Sequence, residues 1–158
     1  MSRIAGRLFM TWLRVSARAA RSPRWQRVAE WTLGQLGRAV ARRRGLTEAS
    51  SPQALGEQWQ RIFPSRRHVP LVGVDATTAY AEIRTVCPLR GTGDVHACHR
   101  LMAYDRAAAA RMGARFVVLE SQATPGATVC RVALRRQELP ADDLVAAHER
   151  SGRKGTEP

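Results

Sequence analysis

Between Cys87 and His99 the chain places two cysteines and two histidines in thirteen residues, Cys87-Pro-Leu-Arg-Gly-Thr-Gly-Asp-Val-His-Ala-Cys-His99. The third and last cysteine, Cys130, follows thirty-two positions after Cys98. Thiols and imidazoles attack electrophilic carbon, move protons near neutral pH or ligate soft metals, and each chemistry demands its own arrangement. For zinc, Cys87, Cys98, Cys130 and His96 offer suitable donors, but there is no Cys-x-x-Cys pair. On a helix, the adjacent Cys98 and His99 would also point in different directions. For covalent catalysis, a thiol near a helix start has its thiolate favoured by unpaired amides and the helix dipole, and His96 or His99 would hold or remove the proton. Such a sulfur adds to an amidine or carbonyl carbon, and water resolves the intermediate. Three buried structural cysteines are the plain alternative.

A helix must carry part of this set. The alanine-rich segment from His96 or Cys98 to Met112 predicts one, closed by Gly113. Cys98, Met102 and Asp105 are separated by four and three residues and share a face, which sets a carboxylate on the stripe of a cysteine. Asp105 either pairs with an arginine or positions a site group. Gly91-Thr92-Gly93 lacks the lysine of a phosphate loop and reads as a change of direction.

Strands must carry the rest. Apolar alternation predicts strands over 69–74 and 77–86, with Ala79, Ala81 and Ile83 on one side of the second, so that this strand delivers Cys87 at its end. Two more are expected over 115–120 and 129–134, joined antiparallel across Ser121 to Gly126, with Cys130 opening the return. A small helix over 142–148 and a frayed tail over 151–158 follow. The expected fold is α+β, with N-terminal helices packed on an antiparallel sheet of about four strands and a central helix.

Three amphipathic helices are expected before the sheet. Ile4, Leu8, Trp12 and Val15 mark the first, with Phe9 beside them and arginines opposite. It packs on the domain or a partner subunit, or lies on anionic lipid. Ser22-Pro23 reads as cap and first turn of a second helix carrying Trp25, Val28, Ala29, Thr32, Leu33, Leu36 and Val40 at helical spacing. Ser51-Pro52 opens a third, lined by Leu55, Trp59, Ile62 and Phe63 and ending at Pro64, with Gly56 a weak point.

The formal net charge of +13 is unevenly spread: residues 1–44 hold eleven arginines against one acidic residue, Glu30, a net +10. That divides the chain into a basic helical arm over 1–44, an α+β domain over 45–150 and a tail over 151–158. No zinc-finger spacing, recognition helix or aromatic ribonucleoprotein motif accompanies the charge, so nucleic acid is a weaker expectation than a small-molecule ligand. Homo-oligomer formation through the N-terminal helices is a further expectation. At 158 residues the chain buries about two-thirds of its extended surface without disulfides. An odd cysteine count and the lack of a secretory leader or an apolar run of about 18 residues point to a reducing, cytoplasmic setting.

The run Cys87-Pro-Leu, His96-Ala-Cys98, Asp105, Gly113-Ala-Arg-Phe116 and Glu120-Ser-Gln-Ala-Thr-Pro-Gly126-Ala-Thr-Val-Cys130-Arg-Val resembles the L-2-amino-thiazoline-4-carboxylic acid hydrolase family. The resemblance covers about residues 69–136. It implies hydrolytic opening of a small cyclic amidine-like substrate, used in biosynthesis, with no cofactor required. It points to Cys87, Cys98, Asp105 and Cys130, with Glu120, Ser121 and Gly126 shaping a substrate-binding turn; His96 and His99 are additions to that pattern. The chain also resembles vinyl-4-reductase type ligand-sensing domains, in which a cysteine enters a helix and a glycine-then-cysteine hairpin follows. That likeness implies a small-molecule pocket with zinc as an option. The cysteine those domains carry before the hairpin is replaced here by Glu120, Ser121 and Gln122.

Overall fold

The computed structural model describes residues 3–153, with side chains from Met10 to Ser151. The side chains of Ile4, Leu8 and Phe9 and the expected tail over 154–158 lie outside the described residues. The fold is α+β. In chain order it runs α1 (Arg3–Arg21), α2 (Gln26–Arg43), α3 (Pro52–Gln60), β1 (Leu71–Val74), β2 (Thr78–Ile83), α4 (Val95–Leu101), α5 (Ala103–Arg111), β3 (Ala114–Glu120), β4 (Cys130–Arg136) and α6 (Ala147–Arg153). A single 3-10 turn, Arg66–His68, precedes β1. The four strands are antiparallel in the order β1-β2-β4-β3, so β4 returns between β2 and β3 and joins the two hairpins.

Local chemistry explains where helices begin. Ser51 Oγ accepts the Ala54 amide at 3.2 Å and Pro52 takes the first helical position, so α3 starts as the serine-proline pair predicts. Ser22-Pro23 behaves differently. The Ser22 carbonyl accepts the Trp25 and Gln26 amides in a separate turn, and α2 begins only at Gln26 with no side-chain cap.

The expected single middle helix is two helices that break at Met102. The His99 carbonyl, which an unbroken helix would offer to residue 103, takes Arg106 Nη1 at 2.5 Å. A side chain from the next turn thus competes for the helix's own acceptor. Two ends also differ from the sequence reading: β2 stops at Ile83, and α6 is centred beyond 142–148, extending helix into the expected tail.

Helices α3 and α5 lie against the sheet, α2 packs outside α5, and α1 packs against α2 and α4. Ala17, Ala20, Leu33 and Ala41 of the basic arm share one core with Leu55, Trp59, Phe116 and Val132. Trp59 is fully buried, with its ring 4.9 Å from Phe63 and 5.8 Å from Phe116.

The buried stripe of α2 is narrower than its periodicity suggests. It consists of Ala29, Leu33, Gly34, Gly37 and Ala41, while Trp25, Val28 and Leu36 are exposed. Close approach selects the small residues: a Cβ built at Gly37 would stand 2.2 Å from the Tyr104 carbonyl oxygen. Gly56 has the same logic in α3, since its Cβ would meet Leu71 Cδ2 at 2.6 Å.

Gly37 and Gly34 therefore respond oppositely to the same change. Gly37→Ala must push α5 away and is expected to lower unfolding free energy by about 1–3 kcal/mol. At Gly34 the nearest atom is Arg38 Nη2 at 3.9 Å, so Gly34→Ala is expected to gain up to about 1 kcal/mol of helix propensity. Urea denaturation of both variants checks the contrast.

Candidate functional site

Strand register and two loops assemble the thiols. Cys130 pairs with Ile83 across β2 and β4, and the chain then leaves β2 and reaches Cys87 through three residues outside the strand. The Gln122 side chain holds that departure in place. Its Nε2 donates to the carbonyls of Ile83 at 3.1 Å and Thr85 at 2.9 Å, and its Oε1 accepts the Cys87 amide at 3.0 Å. Backbone bonds zip the same loops together: Gly91 N–H donates to the Gln122 carbonyl at 2.8 Å and Gly93 N–H to the Ala123 carbonyl at 2.7 Å.

Asp94 caps α4, its Oδ1 accepting the Ala97 amide at 2.8 Å, which places Cys98 in the first turn. There Cys98 is neighboured by the Cys130 thiol and the Ser121 hydroxyl. Ser121 Oγ accepts the Ala123 amide at 3.0 Å, which leaves its own hydrogen free to donate. Cys130 Sγ accepts the Gln122 amide at 3.3 Å, and Cys87 Sγ accepts the Leu89 amide at 3.4 Å. All three thiols are free, and their charges act on one another.

The environments separate them chemically. Cys98 is held below the ordinary thiol range, first by the Cys130 thiol beside it and then by the Ser121 hydroxyl, against the cost of burial. Cys130 moves up because it faces Cys98 and is itself buried. Burial pushes Cys87 up to about 11. One sulfur of the three is thus set up to carry negative charge. Cys98 and Cys130 are only 2% and 1% exposed, while Cys87 is half-buried.

Asp105 completes this side of the cluster. It is buried in the first turn of α5, accepts Trp59 Nε1 at 3.1 Å, and acts electrostatically on Cys98. Desolvation raises it to about 7, with the Trp59 bond and the Arg106 charge opposing. Arg106 itself pairs with Glu30, 2.7 Å away, so the arginine partner expected for Asp105 is engaged elsewhere.

The histidines stand apart from this arrangement. The His99 ring lies 3.9 Å from that of His148, and His96 meets His148 at 6.0 Å. Burial and the Arg106 charge press His99 down to about 4, and Arg106 Nη1 lies 3.3 Å from His99 Nδ1. His99 and His148 line a cleft of about 450 Å³ with Arg106, Arg115, Phe116 and Leu144. The sequence reading missed His148, which only the turn before α6 brings back to α4.

Of the expected substrate-binding turn, Ser121 reaches the thiols. Glu120 instead pairs with Arg131 at 3.4 Å on the sheet surface, and Gly126 turns the loop tip at φ 86°. Among the described residues no group of three or more His, Cys, Asp or Glu side chains is arranged to hold a metal ion. Cys87, Cys98, Cys130 and His96 are not gathered into such a group. The chain matches no family model, no curated protein and no solved structure.

Asp105 and His99 give opposing pH dependences. The native state binds the Asp105 proton more tightly than the unfolded chain, so this group lowers stability as pH rises from about 4 to about 7, on the order of 4 kcal/mol at most. His99 binds its proton less tightly when folded, so it raises stability from about pH 4 to 6.5, and His148 acts in the same direction. Asp105→Asn is expected to expose the rising profile and His99→Gln the falling one. Denaturation midpoints between pH 4 and 8 measure both.

Proposed function

We propose that this protein is a thiol-dependent hydrolase of small cyclic amidines, thiazolines or cyclic amides, with Cys98 as its nucleophile. What supports the reading is the meeting of the Cys130 thiol and the Ser121 hydroxyl at one sulfur of three, which holds the Cys98 thiol below its ordinary range. A neighbouring thiol and hydroxyl favour a thiolate at Cys98 before substrate arrives. Asp105, raised to about 7, exists in both protonation states near neutral pH and suits proton transfer in both directions.

In the first half-reaction the Cys98 sulfur forms a bond to the amidine or carbonyl carbon. The ring C–N bond breaks and the leaving nitrogen takes the Asp105 proton. Water then attacks the same carbon and gives a proton back to Asp105, and the C–S bond breaks to restore the Cys98 thiolate. The net change is addition of one water across the ring bond. No metal or organic cofactor enters either step, and the free thiols suit a reducing cytoplasm. Because Cys98 is buried, the hydrolase reading requires the structure to open around the thiols before substrate reaches the sulfur.

A second reading has its own observation. The cleft at His99 and His148 is open while the thiols are closed, which suits a domain that binds a small molecule without turning it over. Turnover assays on a panel of cyclic amidines, 2-aminothiazoline carboxylates and cyclic amides separate the two. The hydrolase reading expects Cys98→Ala to abolish kcat and Ser121→Ala to lower it about tenfold or more. It also expects iodoacetamide labelling of Cys98 to begin at lower pH than that of Cys87. Full kcat in Cys98→Ala would refute the assignment, and saturable binding with no turnover of any substrate would favour the sensing reading.

A further inference from the structure

The outward face of α2 carries large apolar side chains where a solvated helix carries polar ones. Trp25 is 60% exposed, Val28 51%, Trp31 64% and Leu36 38%. At 3.6 residues per turn these four span an arc of roughly 140°, at whose edge Trp31 lines a cleft with Ala103, Arg106 and Ala107 of α5. Arg27 and Arg38, both exposed, run along the flank beside Trp31, and the exposed Arg42 and Arg43 continue the charge to the end of the helix. Glu30, the only acidic residue among the first 44, is turned inward to Arg106. The face thus presents large apolar side chains, interrupted by the exposed Thr32 and Gln35, beside a row of positive charge with no carboxylate of its own.

Each occupant makes different demands on such a face. Two copies paired about a two-fold axis would set arginine rows near one another with no acid to offset them. A nucleic-acid backbone would use the arginines but has no need of Val28 and Leu36. An anionic lipid surface uses both: tryptophans sit at the headgroup level, aliphatic side chains enter the acyl boundary, and arginines extend toward phosphates. No described helix is long and apolar enough to cross a membrane, which leaves α2 lying along the surface. We propose that the Trp25-Val28-Trp31-Leu36 face of α2, with its arginine flank, docks this protein on anionic phospholipid bilayers. This docking is independent of the thiol chemistry.

Flotation of the full chain with phosphatidylcholine vesicles, with and without phosphatidylglycerol, tests the proposal. Binding is expected only to the anionic vesicles, accompanied by a blue shift of tryptophan emission. The double variant Trp25→Ser/Trp31→Ser is expected to lower the vesicle partition coefficient by about tenfold or more, and Arg27→Gln/Arg38→Gln to weaken binding and flatten its salt dependence. Circular dichroism should be unchanged, because these side chains lie outside the core, and Trp31→Ser alone provides a milder variant. Failure of the full chain to bind anionic vesicles would overturn the proposal, as would unaltered binding by the tryptophan variants. Lipid-free dimers abolished by Trp31→Ser would assign the face to a second copy instead. Binding to DNA that depends on the arginines alone, without vesicle binding, would assign it to a polyanion.

Discussion

The side-chain amide of Gln122 is almost wholly buried and spends its hydrogen-bonding capacity on one segment of backbone, taking the carbonyls of residues 83 and 85 and the amide of residue 87. This constraint does what the sheet cannot do after β2 ends. It converts an irregular exit into a fixed path and pins that path to the loop carrying Ser121. Buried backbone groups must find partners, and here one amide supplies both polarities at once. The residue's own amide and carbonyl hold Cys130 and Gly91, so its main chain and side chain bind both loops.

Around that clasp, the fold gives chemically equivalent residues different environments. Three cysteines begin with the same intrinsic acidity. One hydroxyl, one neighbouring thiol and differing burial then distribute them between a favoured thiolate and two retained thiols. The two buried-side titrating groups of the neighbouring helices are treated in the same way. Asp105 is moved up and His99 down, each toward its neutral form, because a low-dielectric interior penalises charge of either sign. Arg106 connects them: it acts on both, contacts His99 and is itself anchored by Glu30 from α2.

The glycine contact between α2 and α5 explains why the basic arm belongs to the domain that carries the thiols. Small residues let α2 approach until its backbone meets that of α5, and the large apolar residues of the same helix are left outside. A periodic reading ranks tryptophan and valine as core and glycine as a defect. Here packing distance reverses both assignments.

By itself the sequence determined the α+β class, the two antiparallel hairpins and the cap of α3, because alternation, turn residues and capping chemistry act over a few neighbouring positions. It also set Cys87 at the end of the second strand and Cys130 at the start of the returning one. Their convergence follows from antiparallel return, and the Ile83–Cys130 register realises it. Tertiary structure alone decided the break at Met102, the turning of His96 and His99 toward His148, the role of Gln122 and the exposure of Trp25 and Trp31. Each depends on a partner far away in the chain, or on a side chain competing with the backbone, and residue periodicity carries no record of either.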